Sequence, residues 1–255
     1  MREEARLSPP GAPPAAAGPK PAVAALGVEK WYGVYPALRG VDFEISAGDF
    51  LTIFGPNGAD KTTLLRLLAG ALRPTRGEIR LGGSPLDYDE HAWRSRIGVL
   101  SHQTFLYGQL TAAENLRFFG RLYGLEALDG LIERRLNEVG LWDRRGDRVR
   151  GFSRGMQQRL ALARTLLHDP EVVLLDEPYT GLDPHAARML RRVLEQLKDG
   201  RRTVVLVTHN LAEGLELADR VVVQVAGRWV SDEPRAAIDP GDFDRLYTAR
   251  VGGGE

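Results

Sequence analysis

Cysteine is absent from the 255-residue sequence, which excludes disulfide bonds and catalysis by a thiolate. Only five histidines are present and they are scattered, so a structural zinc site is not expected. The sequence also lacks a run of about 18 apolar residues, which a membrane-spanning helix would need. Its first residues lead into prolines rather than into the apolar core of a signal peptide. We therefore expect a cytoplasmic protein that acts at a membrane only through separate subunits.

Excess charge of either sign is lacking as well, because 34 basic residues balance 34 acidic ones. Such a chain is not drawn as a whole to nucleic acid or to an anionic membrane, and we expect no nucleic-acid partner. The sequence does contain 43% hydrophobic residues, which is enough to form a sizeable core.

Composition divides the chain into three parts. Residues 1–22 are rich in proline, alanine and glycine, and we expect a disordered tail because such a segment buries little apolar surface. Residues 23–240 contain the folded domain. Residues 241–255 end in a run of glycines and are predicted to form a frayed C-terminal tail.

Apolar patterns predict several strands within the folded domain. Residues 41–45 alternate between apolar and polar side chains, as in a half-buried strand. Residues 172–175 and 203–207 are continuous apolar runs, which are typical of strands buried on both faces. Residues 221–230 are predicted to form a hairpin. Strands of these two kinds indicate an α/β fold with an additional antiparallel part.

Two helices have clear start signals. Thr111 and Glu114 form a capping box, which predicts a helix that runs to about residue 123. Asp183 followed by Pro184 predicts a helix that runs to about residue 198. The first of these helices belongs to a stretch of helical character that begins near residue 104 and separates the two halves of the α/β pattern.

A loop of small residues joins a strand-like segment at residues 50–54 to a helical pattern that begins near residue 64. Strand, loop and helix in this order are the context of a phosphate-binding loop. Its backbone N–H groups converge on phosphate oxygens, and the helix N-terminus adds the positive end of its dipole. The candidate phosphate-binding residues are Gly55, Pro56, Asn57, Gly58, Ala59, Asp60, Lys61, Thr62 and Thr63.

The side chains at the end of this loop predict ATP and Mg²⁺ as ligands. Lys61 would reach the β- and γ-phosphates, the Thr62 hydroxyl would coordinate Mg²⁺, and Thr63 would lie near the α-phosphate.

Asp60 departs from the pattern G-x-x-x-x-G-K-[ST], which has glycine at this position. Its side chain lies where the backbone should approach the phosphates, and its carboxylate is an anion within an anion site. Two like charges about 4 Å apart repel by roughly 4 kcal/mol at an effective dielectric constant near 20. Two outcomes are open: impaired ATP binding, or an outward carboxylate that pairs with Lys61 and weakens binding only slightly.

The segment 152–178 joins a turn of Ser153, Arg154, Gly155, Met156 and Gln157 to a helical stretch and then to an apolar strand that ends in Asp176 and Glu177. Together with the upstream phosphate loop, this segment resembles the signature motif and acidic strand of an ABC ATPase. The resemblance covers residues 32–209. It implies a P-loop NTPase (RecA-like) core, an antiparallel β subdomain and an inserted α-helical signature subdomain at about residues 104–157.

The resemblance also implies roles for residues on the nucleotide side. Tyr32 would stack on the adenine, with Trp31 and Tyr35 as rivals for this position. Gln103 would contact Mg²⁺ or the attacking water and would link the nucleotide to the helical subdomain.

Three residues at the ends of strands are implied to complete the catalytic site. Asp176 would bind Mg²⁺, and Glu177 would act as the general base. His209, which follows the strand at residues 203–207, would contact the γ-phosphate. The other histidines are expected to lie on the surface: His91, His102, His168 and His185.

Other motifs would act across a dimer of two cassettes, which is either a homodimer or a heterodimer. Ser153, Gly155 and Gln157 would hold the γ-phosphate bound to the opposite subunit, and the Gly181–Asp183 turn would contact that subunit. Arg154 stands where the fullest form of the signature has glycine.

The resemblance further implies integral membrane subunits that dock near residues 104–125, at the cytoplasmic face of the inner membrane. The form of the chain is similar to that of bacterial exporter ATPase subunits. Within these, residues 101–103 and 118–123 resemble the haem exporter subunit of cytochrome c maturation, and drug or lipid export is the main rival. Two further alternatives are a soluble ABC ATPase without a transport role and a catalytically silent cassette.

Overall fold

The structure, a computed structural model, describes residues 20–90 and 92–252. Most of the tail predicted for residues 1–22, together with His91, lies outside the described residues. The backbone N–H of Ala22 donates to the carbonyl of Ile45 at 2.8 Å, so the chain joins a sheet just before the predicted start of the domain.

Two sheets form the framework of the described chain. A four-stranded antiparallel sheet has the order β2-β1-β4-β5, and a six-stranded sheet has the order β10-β9-β3-β8-β7-β6. In the larger sheet only the pair β9–β10 is antiparallel. The strands are β1 (Val23–Tyr32), β2 (Tyr35–Ile45), β3 (Phe50–Phe54), β4 (Arg76–Leu81), β5 (Ser84–Pro85), β6 (Ile97–Leu100), β7 (Val172–Asp176), β8 (Thr203–Val207), β9 (Arg220–Val225) and β10 (Arg228–Pro234).

Helices cover the larger sheet and fill the stretch between β6 and β7. They are α1 (Lys61–Leu68), α2 (Ala112–Leu122), α3 (Leu128–Glu138), α4 (Arg154–Thr165), α5 (Pro184–Glu195), α6 (Leu211–Leu217) and α7 (Phe243–Gly252). The predicted α/β fold, with its separate antiparallel sheet and inserted helices, is confirmed.

The three central strands β3, β7 and β8 are buried at every position. Helix α1 and the antiparallel sheet cover one face of these strands, and helices such as α4 and α5 cover the other. Burial on both faces explains their apolar runs. Since the strands are parallel, their carboxyl ends lie at one edge of the sheet, where the following loops meet. The chain therefore brings three sequence-distant turns together at that edge.

Side-chain caps fix the starts of the two predicted helices. Thr111 and Glu114 form both hydrogen bonds of the capping box of α2. The Asp183 carboxylate accepts from the backbone N–H of Ala186 at the start of α5. This second helix ends at Glu195, three residues before its predicted end at about residue 198.

The C-terminal segment differs from its prediction. Residues 243–252 form α7, whereas the sequence predicted a frayed end. Phe243 is only 2% exposed, and its ring lies 5.1 Å from that of Phe54. The helix is held by this contact with a strand far away in the chain, which local composition does not reveal.

Replacing Phe243 with alanine is expected to lower the free energy of unfolding by about 3 kcal/mol, because it leaves a cavity in a buried aromatic cluster. Chemical denaturation of the purified chain measures this loss. Arg245→Ala, at an exposed position of the same helix, is the control and should change stability by less than about 0.5 kcal/mol. Equal stability of both variants would mean that α7 does not pack as described.

No helix in the described part of the chain is both long and apolar enough to cross a membrane.

Candidate functional site

The loop after β3 wraps around a cavity of about 270 Å³ at the carboxyl edge of the larger sheet. Asn57 and Gly58 are exposed at this cavity, while Ala59 is buried beneath the loop. The cavity is lined by Asn57, Gly58, Ala59, Asp60, Lys61, Thr62, Thr63, Asp176, Glu177 and Val207.

Strand β9 holds the loop in place. A Cβ at Gly55 would lie 2.2 Å from the carbonyl oxygen of Gln224, so only glycine fits there. The buried Gln224 side chain donates to the carbonyl of Ala59 at 2.6 Å. Sequence reasoning missed Gln224, although one polar residue within the run Val221–Val225 is the signal that could have found it.

Lys61 lies at the centre of the loop and is mostly buried. Its ammonium group donates to the carbonyls of Gly55 at 2.7 Å and Pro56 at 3.0 Å. Burial lowers the pKa of Lys61, against the opposing negative charges of Glu177 and Asp176. A cation is therefore held in the cavity by carbonyl groups, close to where phosphates would bind.

Thr62 and Asp176 meet across the cavity. The Thr62 hydroxyl lies 3.1 Å from both oxygens of the Asp176 carboxylate. A hydroxyl and a carboxylate are ligands that Mg²⁺ accepts, usually with water and phosphate oxygens in its remaining positions. The residues present therefore fit a magnesium ion bound together with a nucleotide.

His102 is exposed, as predicted, but it also approaches the cavity, which the sequence did not indicate. Its Nδ1 atom lies 3.9 Å from an Asp176 oxygen. Burial raises the pKa of Asp176 above its usual value, partly offset by the Thr62 hydrogen bond, which lowers it. His102 follows β6, and the parallel pairing of β6 with β7 brings its imidazole near Asp176 at the end of β7.

Glu177 and His209 form a second pair at the same edge. Nδ1 of His209 lies 2.8 Å from Oε2 of Glu177, and the Thr208 hydroxyl lies 3.3 Å from the same oxygen. Glu177 has φ of 49°, a left-handed conformation that is uncommon outside glycine. Such strain is found at sites where the surrounding structure holds a side chain in one direction.

Gln103 lies in the exposed turn after β6, and the Ser101 hydroxyl donates to its carbonyl at 2.7 Å. Together with Thr62 and Asp176 it borders a second cavity of about 450 Å³. The aromatic rings of Phe105 and Phe119 form part of the far wall of this cavity. The structure thus brings Gln103 to the side of the phosphate loop where Thr62 and Asp176 meet.

Asp60 adopts φ of 64° and ψ of 29° directly before α1. Its carboxylate accepts from the Tyr35 hydroxyl at 2.6 Å and from the Thr63 hydroxyl at 3.1 Å. The predicted pairing with Lys61 is wrong, because the lysine is bound by carbonyls and two hydroxyl groups bind the carboxylate. The hydrogen bond from Tyr35 to Asp60, with the negative charge of Asp60, raises the pKa of Tyr35.

The aromatic residues before the phosphate loop lie on the hairpin of β1 and β2. The Tyr32 ring is 46% exposed, with the Lys30 ammonium 5.5 Å from its centroid. The Trp31 indole donates to Glu29 at 3.0 Å, and Tyr35 contacts the loop through Asp60. Of the three rivals, Tyr32 has its ring least engaged in polar contacts, and its stacking on adenine stays a prediction.

The signature residues lie at the start of α4, away from the phosphate loop. The Ser153 hydroxyl accepts from the backbone N–H of Met156 at 3.3 Å, and the Gln157 side chain donates to the Phe152 carbonyl at 3.1 Å. A Cβ at Gly155 would lie 2.5 Å from that of Ala186 in α5. Within the described residues, none of the signature side chains borders the cavity at the phosphate loop.

His168 was also predicted to lie on the surface, and this is wrong, because the residue is half-buried. Its ring stacks on Tyr123 at 4.0 Å, and Nε2 lies 3.2 Å from the carbonyl of Ile97. Burial lowers the pKa of His168. His185 is exposed, as predicted.

A buried lysine in a glycine-rich loop, a threonine–aspartate pair and a strained glutamate beside a histidine define a phosphate-loop nucleotide-binding cassette. The model of the family described as ABC transporter matches residues 38–180. The chain belongs to this family.

Similar proteins include transporter subunits of both directions. The Nod factor export ATP-binding protein I of Rhizobium meliloti (strain 1021) is 37% identical over 87% of this chain and 68% of its own length. The phosphonates import ATP-binding protein PhnC of Anaeromyxobacter dehalogenans (strain 2CP-C) is 39% identical over 98% of this chain. The matched region spans 53% of that relative's length.

A solved structure is also similar, the dimeric post-hydrolysis state of the ATP-binding cassette MJ0796 bound to ADP and Pi. It is 28% identical, with a TM-score of 0.76, and covers 84% of this chain and 98% of its own.

Proposed function

We propose that the chain binds and hydrolyses ATP and thereby drives transport through separate membrane subunits. The observation that carries this proposal is the meeting of Lys61, Thr62, Asp176, Glu177 and His209 at one sheet edge. A lysine or an acidic pair that only served the surface would not need to meet the other groups at one sheet edge. Phosphoryl transfer does use a lysine, a metal-binding hydroxyl and carboxylate, and a base together.

The side chains divide the chemistry between them. Lys61 and the loop N–H groups would hold the phosphates, and Thr62 with Asp176 would hold a magnesium ion, which would supply positive charge to the phosphate oxygens. Glu177 would accept a proton from the attacking water, and the Thr208 hydroxyl and the close contact with His209 hold its carboxylate in one direction. Gln103 borders the same cavity as Thr62 and Asp176, which supports its proposed contact with the metal or the water.

The signature residues are proposed to act on a second cassette. In one chain they lie away from the cavity at the phosphate loop, so they can serve a nucleotide only if another subunit provides it. Ser153 at the N-terminus of α4 and the N–H of Gly155 are the groups that would bind a γ-phosphate there. The dimeric solved structure bound to ADP and Pi supports this arrangement.

Residues 104–125 are proposed as the docking surface for the membrane subunits, at the cytoplasmic face of the inner membrane. Phe105 is 59% exposed and Tyr107 is 49% exposed. Phe119 packs against the core, so part of this segment serves to hold the helical subdomain together rather than to dock a partner. Because Phe105 also borders the cavity that reaches Thr62 and Asp176, a partner bound here would sense the nucleotide site.

Export is the direction we favour, on the likeness to the Nod factor export protein. Haem is the cargo suggested by the resemblance of residues 101–103 and 118–123 to the haem exporter subunit. The phosphonate import relative supports the opposite direction. A second candidate function, a catalytically silent cassette that pairs with an active one, is favoured by one observation, the Asp60 carboxylate in the phosphate loop.

The proposed function is tested by measuring Mg²⁺-dependent phosphate release from ATP and ATP affinity for the purified chain and for Lys61→Ala. We expect the substitution to weaken ATP binding at least about tenfold, because it removes the cation that faces the phosphates. Lys198→Ala removes a lysine that pairs with Asp219 outside the site and should leave binding unchanged. Equal ATP affinity for all three chains would contradict an ATP site at this loop.

A further inference from the structure

Asp60 and Arg154 are two departures from the family's motifs, and they carry opposite charges. Each stands where the motif has glycine, one in the phosphate loop and the other in the signature turn. Within the described residues, neither has a side chain of opposite charge within the 4.0 Å that defines an ion pair. Because neither Asp60 nor Arg154 forms an ion pair within the described chain, both are candidates for an ion pair with another chain.

Asp60 is held in a fixed direction at the edge of the loop. Its two oxygens accept hydrogen bonds from the hydroxyls of Tyr35 and Thr63, both of which are neutral groups. The side chain is partly exposed. Its charge is thus oriented but not neutralised, and it weakens the positive field that the loop offers to phosphates.

Arg154 is the first residue of α4, and it is exposed. Its guanidinium lies over Gly181, so closely that a Cβ there would be 2.5 Å from Nη1. Gly181 has φ of 72°, which allows the backbone to turn beneath the arginine. The arginine is therefore supported from one side and free to bind an anion on the other.

We propose that Asp60 of one copy forms an ion pair with Arg154 of a second copy of this chain, so that the dimer closes in part without nucleotide. This inference rests on the proposed function, in which the signature turn of each cassette covers the phosphate loop of the other. In a two-fold symmetric dimer the contact occurs twice, because each copy contributes both residues. The pair also neutralises the carboxylate that repels ATP, so each phosphate loop regains affinity when the dimer forms.

The pairing specifies the partner. A heterodimer with a cassette that has glycine at both positions would leave both charges unpaired and would retain the repulsion at Asp60. Only a second copy, or a chain with the same two charges, satisfies both. Since the pair lies at an interface that opens to water, its strength falls as ionic strength rises.

The test is a charge-reversal cycle measured by sedimentation velocity without nucleotide. The chains are the parent, Asp60→Arg, Arg154→Asp and the variant that combines both reversals. At low ionic strength we expect the parent to self-associate, each single reversal to weaken association at least about tenfold, and the combined variant to return to within about threefold of the parent. High salt should remove most of the difference.

A parent that stays monomeric at low ionic strength overturns the proposal, as does a combined variant no better than the single reversals. Circular dichroism and thermal melting of each variant establish that all four chains are folded. Either negative result leaves the proposed function standing if Asp60→Gly binds and hydrolyses Mg²⁺–ATP. Loss of ATP binding in that variant would instead count against the proposed function.

A second measurement uses the absence of cysteine from the sequence. The Asp60→Cys chain is mixed with the Arg154→Cys chain, because a dimer of one copy of each keeps one Asp60–Arg154 pair and brings the two thiols together for a short bismaleimide. We expect a crosslinked dimer on a denaturing gel from this mixture and none from either single cysteine variant alone. A mixture that stays monomeric on the gel would overturn the proposed contact.

Discussion

Replacement of Glu177 with glutamine is expected to lower the rate of ATP hydrolysis by about 100-fold or more, while ATP affinity stays within about threefold of the parent. The glutamine keeps the size of the side chain and still offers an oxygen to His209 and Thr208, but it cannot accept the proton of the attacking water. Phosphate release under saturating ATP and equilibrium binding of ATP together measure the two effects.

Asp176 is another carboxylate directly beside Glu177, so the assignment of Glu177 as the general base is worth testing directly. Asp176 is buried, and both of its carboxylate oxygens lie 3.1 Å from the Thr62 hydroxyl. The Glu177 carboxylate instead lies 2.8 Å from Nδ1 of His209. If Glu177 is the base, Glu177→Gln should affect the rate far more than the affinity.

Glu126→Gln, which changes an exposed carboxylate in the helical insert, is the matched control and should leave both values unchanged. A Glu177→Gln chain that hydrolyses ATP at the parent's rate would show that another group accepts the proton. A variant that loses ATP binding as well would point to a role of Glu177 in holding the loop.

Asp60→Gly is expected to tighten ATP binding at least about tenfold. The upper limit is roughly thousandfold, which corresponds to a repulsion of about 4 kcal/mol between charges 4 Å apart. Lys61 and the metal screen part of this repulsion. Glycine also suits the φ of 64° at this position, so the loop is not distorted by the change.

Asp60→Asn separates charge from shape. Asparagine has the same size, still accepts hydrogen bonds from Tyr35 and Thr63, and tolerates the left-handed conformation. If the negative charge is the cause, Asp60→Asn should recover most of the affinity gained by Asp60→Gly. If the bulk of the side chain is the cause, only the glycine variant should improve. Isothermal titration with Mg²⁺–ATP measures all three chains.

The Tyr35 hydroxyl gives an independent check, since it holds the carboxylate aside at 2.6 Å. Tyr35→Phe should change ATP affinity in the parent but not in the Asp60→Gly background, where the hydroxyl has no partner. The same ATP affinity for the parent and for Asp60→Gly would mean that the carboxylate lies clear of the phosphates. The chain would then be a working ATPase despite its altered loop.

Features that depend on neighbours in sequence were predictable. The capping box of Thr111 and Glu114 and the Asp183 cap were found because each cap acts within one helical turn. The buried strands were found because both their faces are covered, which leaves a continuous apolar run. The phosphate loop could be predicted because its strand, loop and helix follow one another directly in the sequence.

Contacts between distant residues were not predictable from local pattern. His102 meets Asp176 because β6 and β7 are neighbours in one register, and His168 is covered because Tyr123 happens to stack on it. The helix α7 exists at the C-terminus because Phe243 finds Phe54, a residue far away in the chain. None of these outcomes follows from composition or periodicity.

The sequence by itself determined the α/β fold, the position of the phosphate loop, the order of the motifs and the place where one of them is altered. Only the tertiary structure decided where the Asp60 carboxylate points and which side chains hold it. The physical reason is that a backbone pattern fixes which elements form, whereas the direction of a charge depends on donors that folding brings from elsewhere. Tyr35, on a different sheet from the phosphate loop, is that donor.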